Sequence, residues 1–229
     1  SSDRAKSMQR VTVSVWVLRA AWLSLWCCLF PQATLAQEGP IRVGVSVSLT
    51  GKYEQPGRAA LEGLQMWVDD VNTRGALLGR KVGLVYYDDQ SSAEKSTELY
   101  ERLITEDKVD LLVGPYSSEL TMAASTVAER RDFPMVAAGA ASDAIWERGY
   151  KNIFQIDAGA RIYMDLPLQF AKEQGLTRVA LIHAESEFPA EVAAGARAKA
   201  SELGLSLVFD EAYPLGSTTF GDLVDRMKR

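Results

Sequence analysis

The residues best placed to do chemistry lie in one run, Val109-Asp110-Leu111-Leu112-Val113-Gly114-Pro115-Tyr116-Ser117-Ser118-Glu119. It reads as a short buried strand, a Gly-Pro turn and two serines opening a helix. Such a junction turns unpaired backbone N–H groups and hydroxyls outward at the positive end of a helix dipole, where an anion can settle. Gly139-Ala140-Ala141-Ser142 has the same character before a second helical stretch, and its small side chains let a ligand reach the backbone. Neither run carries a nucleophile–base pair, so the chemistry implied is the holding of a small carboxylate, not its conversion. Taken alone, Ser118 reads first as an ordinary N-cap, a role that stabilises a helix by about 1 kcal/mol. The second loop end of like character brings the ligand reading level with that one.

Other candidates carry less. Tyr53, Tyr116 and Phe188 each follow a strand end and could wall a cleft, or simply pack. His183 is the only histidine and ends an apolar strand pattern, which suits a structural role. Asp88-Asp89 has no third carboxylate or histidine at ligand spacing, so a turn role is expected in place of a metal pair. The Gly44-x-Ser46 segment is not a dinucleotide fingerprint, and no Gly-Lys-Ser/Thr phosphate loop follows a strand. No cofactor, metal or catalytic residue is expected.

Strand and helix patterns alternate along the chain. Residues 41–47 (IRVGVSV), 81–87, 109–113, 134–137 and 152–155 read as strands, followed by 178–183 (RVALIH) and 205–209. Between them, Leu61, Leu64, Val68 and Val71 share one helical face that stops at Gly75, and Ser91 with Glu94 resembles a capping box. Helices are also expected over 118–131, 143–148 and 189–203, with another ending near Gly175. Repeated β–α–β units predict an α/β fold, parallel sheets with helices on both faces and ligands beyond the carboxyl ends of the strands. The small residues at 157–160 are the candidate crossover between two lobes, 37–157 and 158–229.

Residues 1–36 read as a secretory signal peptide: Arg10 and Arg19, an apolar run over 20–30, Pro31, then Thr34-Leu35-Ala36 at cleavage spacing. Both cysteines, Cys27 and Cys28, lie inside it, so the remaining chain has none, as suits an exported domain held by its hydrophobic core. Setting the leader aside removes four positive charges and one negative, which takes the net charge from −5 to −8. Nucleic acid and anionic membranes are poor partners for such a surface. The last stretch, FGDLVDRMKR, reads as an amphipathic helix without a cap or following strand, so the chain is expected to be a fragment.

Taken in order, IRVGVSVSLTG, GLQMWVDDVNTRGALLGRKVGLVYYDDQSS, LLVGPYSSELTMAAS and AAGAASDAIWERGYKNIFQI resemble the type I periplasmic binding proteins. More narrowly, they are similar to the leucine/isoleucine/valine-binding branch that feeds ATP-driven importers. RVALIHAESEF and FGDLVDRMK resemble the start of that family's second lobe. The resemblance implies two lobes closing on a small ligand, an amino acid or an amide. It implies that Ser118 and the backbone of Ala140, Ala141 and Ser142 receive the ligand carboxylate, and that Phe188 closes over the side chain. Relatives often carry threonine where Ala141 stands and tyrosine where Phe188 stands. The acidic residue for an ammonium group would lie beyond Arg229. The implied partner is a permease of the ABC type in the inner membrane, the implied location the periplasm. A ligand-sensing domain of a receptor, or an amide-responsive regulator of the same fold, stays open as the alternative.

Overall fold

The computed structural model describes residues 39–228, so the expected leader over residues 1–36 lies outside the described residues. The first strand, β1 (Ile41–Val47), shows how the sequence builds the sheet. Its odd positions, Ile41, Val43, Val45 and Val47, pack under α1 (Glu54–Thr73) against Leu61, Leu64, Val68 and Val71. Its even positions face the other way, where a Cβ on Gly44 would come within 3.0 Å of Val109. The odd face is wholly apolar, as burial under a helix requires, while on the even face Ser46 is satisfied by buried Asp89 and Arg42 by Asp107 and Asp110.

Around β1 the sheet runs β2 (Val82–Asp88), β1, β3 (Leu111–Val113), β4 (Met135–Ala137), β5 (Ile153–Gln155), every pair parallel. On the face opposite α1 lie α2 (Ala93–Thr105), α3 (Ser118–Arg130) and the short α4 (Asp143–Glu147). Tyr100, Leu103, Leu112, Ala124, Val127, Met135 and Ile145 form the main core there. The α1 face is covered over β1 and β2, while Val136 and Phe154 on β4 and β5 remain 40% and 54% exposed. Gly57 lets α1 start against the loop after β1, because a Cβ there would sit 2.1 Å from the Ser48 carbonyl oxygen.

A second sheet pairs β6 (Arg178–Ala184) with β7 (Ser206–Tyr213), again parallel. Before it come a 3-10 turn (Ala160–Ile162) and α5 (Asp165–Glu173); α6 (Glu187–Glu202) joins its strands and α7 (Gly221–Met227) follows. Leu168, Ala196, Ala200 and Leu205 pack against Val179 and Leu181 beneath it. Gly195 lets α6 lie on the 3-10 turn, since a Cβ would fall 1.8 Å from the Arg161 carbonyl oxygen. The result is an α/β fold of parallel sheets flanked by helices.

Three local readings need correction. The N-cap of α2 is Ser92, whose hydroxyl accepts from Lys95 N, not Ser91 of the expected capping box. Ser91 instead donates its hydroxyl to Thr50 O and accepts Tyr53 N, tying the loop after β1 to the loop after β2. Likewise Ser117, not Ser118, caps α3. Strand β7 runs on to Tyr213 through Asp210 and Glu211, charges that end a strand pattern by eye. Here they are matched by Arg197 and Arg226 at the sheet's edge.

Candidate ligand-binding cleft

Chain order β2-β1-β3 reverses direction across β1, and in an open parallel sheet a crevice opens at such a switch point, beyond the carboxyl ends of the strands. A cleft of about 660 Å³ opens there. One wall comes from the ends of β1, β3 and β4: Ser46 and Val47, Gly114 to Glu119 and Ala138 to Ala141, with Tyr53 beside them. The other comes from the second-sheet half, through Tyr163 and the segment Ser186 to Pro189 at the start of α6.

The first wall is built around the start of α3. Ser117 adopts φ 86° and ψ 146°, a backbone region that side chains rarely tolerate, and its hydroxyl accepts from Leu120 N. Strain of this kind costs on the order of 1–3 kcal/mol and persists only where the surroundings impose it. It turns the next residue inward: the Ser118 hydroxyl accepts Ser142 N at 3.1 Å, which leaves its own hydrogen to donate. Among the described residues no acceptor meets the backbone N–H of Ser118, Glu119, Ala140 or Ala141. Ser118 and Glu119 edge the cleft at the start of α3, where partial positive charge gathers, and Ala140 and Ala141 edge it from the loop before α4.

Next to them, the Glu119 carboxylate is held by Lys52 at 2.7 Å and by the Tyr53 hydroxyl at 2.9 Å. Burial, followed by the neighbouring Glu119 carboxylate, pushes the Tyr53 phenol above its usual range. Lys52 is raised chiefly by its hydrogen bond to Glu119. The Tyr53 ring meets Tyr116 edge to face at 5.8 Å, and across the cleft Tyr163 meets Phe188 the same way at 5.3 Å.

The start of α4 is arranged differently. Asp143 N and Ala144 N donate to the Glu191 carboxylate at 2.5 and 3.0 Å, so a protein side chain already occupies that helix start. Ser142 is fully buried behind the wall, with its hydroxyl donating to Glu187 at 3.3 Å. Glu187 itself lines the cleft; burial pushes its carboxyl upward, Glu191 and Glu119 add to this, and the Ser142 hydroxyl and Arg148 oppose it.

Of the residues singled out from sequence, Tyr53, Tyr116, Ser118, Gly139, Ala140, Ala141 and Phe188 are brought together along the cleft; Ser142 lies one layer behind. Ser117 and Glu119, which belong to the opening run but were assigned no contact, line it too, as do Glu187 and Tyr163, which were not singled out. Glu119 and Glu187 adjoin named residues, so a search for charged neighbours of each loop end would have found them. Tyr163 has no local signal and arrives through the 3-10 turn. Asp88 and Asp89 act on loops: Asp88 accepts Leu49 N, Thr50 Oγ1 and Gln90 N, and buried Asp89 accepts Ser46 Oγ, Ser48 Oγ and Ser91 N. His183 sits away from the cleft, its ring against the Ala184 carbonyl and Arg197. Among the described residues there is no group of three or more potential metal ligands, and no helix long and apolar enough to cross a membrane.

Two parallel sheets flanked by helices, with a cleft at the strand ends, define a two-part α/β fold. The periplasmic binding protein family model matches residues 40–229, and the chain belongs to that family. It is 26% identical over 197 residues to Leu/Ile/Val-binding protein homolog 7 of Brucella suis biovar 1, covering 82% of this chain and 49% of that relative. The chain thus spans about half the length of the curated relatives it matches. The structure resembles the branched-chain amino acid transporter substrate-binding protein of Streptococcus pneumoniae in complex with isoleucine, with TM-score 0.75 and 24% identity over 82% of this chain and 54% of that one. It also resembles a solute-binding protein of an ABC transporter from Rhodopseudomonas palustris in complex with 3,4-dihydroxybenzoic acid, with TM-score 0.74 and 21% identity over 82% and 51%. These likenesses give the fold: that of the type I periplasmic binding proteins.

Proposed function

We propose that the protein is a periplasmic substrate-binding protein of an ABC importer that captures a small carboxylate, such as a branched-chain or other hydrophobic amino acid. In this reading residues 37–157 and 158–229 belong to two lobes, and residues 1–36 direct export. The observation that carries it is the set of unpaired amides at Ser118, Glu119, Ala140 and Ala141, gathered with the Ser118 hydroxyl along one cleft. A carboxylate placed there replaces lost water with several charge-assisted hydrogen bonds. The aromatic pairs Tyr53–Tyr116 and Tyr163–Phe188 offer apolar cover for a side chain. Relatives bearing Leu/Ile/Val-binding names and a fold neighbour holding isoleucine support this choice of ligand class. Nothing in the arrangement pairs a nucleophile with a base, so binding without conversion is the role proposed.

The ligand shifts the lobes toward closure only through contacts made in the closed form, and the closed protein then docks on its permease. A micromolar affinity corresponds to about −8 kcal/mol, within reach of such a carboxylate site plus one buried apolar side chain. Thermal shift of the full-length protein against amino acids, amides and aromatic acids tests this. Stabilisation by at least one hydrophobic amino acid is expected. A melting temperature that no small carboxylate or amide moves would contradict it.

A further inference from the structure

Outside the cleft, the loop after β2 gathers unusual backbone and buried charge. Gln90 and Ser91 both adopt left-handed conformations, φ 56° and 58°, which residues with side chains rarely hold. Asp89 is fully buried and accepts Ser46 Oγ at 2.8 Å, Ser48 Oγ at 2.6 Å and Ser91 N at 3.0 Å. Asp88 beside it accepts Leu49 N at 2.9 Å and Thr50 Oγ1 at 2.8 Å. Strain and a buried carboxylate persist only where the surroundings hold them. Ser46, Ser48, Leu49 and Thr50 belong to β1 and the loop after it, so the β2 loop is built to hold its neighbour.

Ser91 is where that hold reaches the cleft. Its hydroxyl donates to Thr50 O at 2.8 Å and accepts Tyr53 N at 3.0 Å. Tyr53 stands at the N-cap of α1 and makes no side-chain cap bond there, so its placement depends on this contact from another loop. Gly51, at φ 87°, admits the approach: a Cβ on it would lie 2.8 Å from both Gln90 O and Ser91 Oγ. From Tyr53 the contacts cross to α3, where the phenol hydroxyl donates to Glu119 at 2.9 Å, beside Lys52 at 2.7 Å. Glu119 follows Ser118 in the first turn of that helix. Asp88, Asp89 and Ser91 themselves do not line the cleft. We propose that Ser91 is a positioning residue for ligand binding: it fixes Tyr53 and, through the Tyr53–Glu119 bond, the donors at the start of α3. The inference rests on the ligand reading above and adds a residue that acts on the ligand only through others.

The test is calorimetric titration of the full-length protein with leucine, phenylalanine and benzoate, continued with whichever of the three the wild type binds most tightly. Ser91→Ala and Ser91→Gly both remove the hydroxyl, but glycine also relieves the left-handed backbone. Ser91→Gly should therefore melt about 2–4 °C above Ser91→Ala. Both should nonetheless weaken the ligand to the same extent, about fivefold, as expected for one lost hydrogen bond. A residue that merely stabilised the fold would make affinity follow melting temperature. Tyr53→Phe, which removes only the hydroxyl that reaches Glu119, should weaken the ligand by a similar factor. In the Tyr53→Phe background, Ser91→Gly should weaken it by less than about twofold more, because both changes act along one path.

Equal losses in the two Ser91 variants, absorbed by Tyr53→Phe, would establish the positioning role. Unchanged affinity in both Ser91 variants would overturn it, as would a loss larger in Ser91→Ala in step with its lower melting temperature. An undiminished loss from Ser91→Gly in the Tyr53→Phe background would also overturn it, since Ser91 would then not act through Tyr53. In each of these cases the wild type still binds, and the carboxylate-binding reading stands. A wild type that binds none of the three compounds would sink both.

Discussion

Two helix starts in this protein look alike in sequence and are used in opposite ways. At α3 the small residues and serines leave amides open to the cleft; at α4 the amides of Asp143 and Ala144 are filled by Glu191 from α6. The filled site demonstrates what such a terminus attracts, a carboxylate held by successive N–H groups. The open one offers the same chemistry to something that is not part of the chain. Glu191 joins the second-sheet half to the first, whereas α3 presents its donors to the space between them. The difference comes from what α6 brings along with it: Glu191 reaches α4, and Glu187, one turn earlier, lines the cleft.

Substitutions at the two helix starts should have separable effects. Ser118→Ala should have the largest effect on ligand, raising the dissociation constant about 10- to 100-fold by calorimetry while the circular dichroism spectrum stays unchanged. An unchanged constant would remove Ser118 from the site. Glu191→Ala should act chiefly on stability, lowering it by about 1–3 kcal/mol in urea unfolding because two N–H groups lose a charged acceptor. Its ligand affinity should move less than that of Ser118→Ala; the reverse order would mean the two helix starts had been assigned the wrong way round. Lys52→Met should weaken binding only about threefold, since Lys52 and Glu119 are each 41% exposed and their pairing is screened, and the difference should fade as salt is raised.

The smallest expected effect concerns pH in the ligand-free protein. Glu187 has a folded-state pKa raised first by burial, with Glu191 and Glu119 adding to it and Ser142 and Arg148 opposing. The folded state therefore binds this proton more tightly than the unfolded state, so the group favours folding as pH falls through the raised value and loses that contribution as pH rises. Glu187→Gln should remove this slope. The melting temperatures of variant and wild type should converge as pH is lowered from 7 to 5, and a difference that widens would reverse the assigned sign.

Local pattern alone accounts for much of the fold. β1 was legible because Ile41, Val43, Val45 and Val47 alternate at strand spacing, and α1 because Leu61, Leu64, Val68 and Val71 recur at helical spacing. Boundaries failed where side chains serve distant partners. Ser91 looks like a cap but ties two loops together, and β7 continues through charges that Arg197 and Arg226 satisfy from other elements. The cleft divides the same way. Its first wall was readable because strand ends and small-residue helix starts lie close in sequence. The occupation of α4 by Glu191, the strain at Ser117 and the approach of Tyr163 depend on long-range packing that no short motif records.

The decisive experiment is a crystal structure of the full-length protein grown with saturating leucine. The ligand carboxylate should lie on the Ser118 hydroxyl and the amides at the start of α3, with Glu191 still seated on α4. Leucine bound away from Ser118, or bound at α4 in place of Glu191, would contradict it.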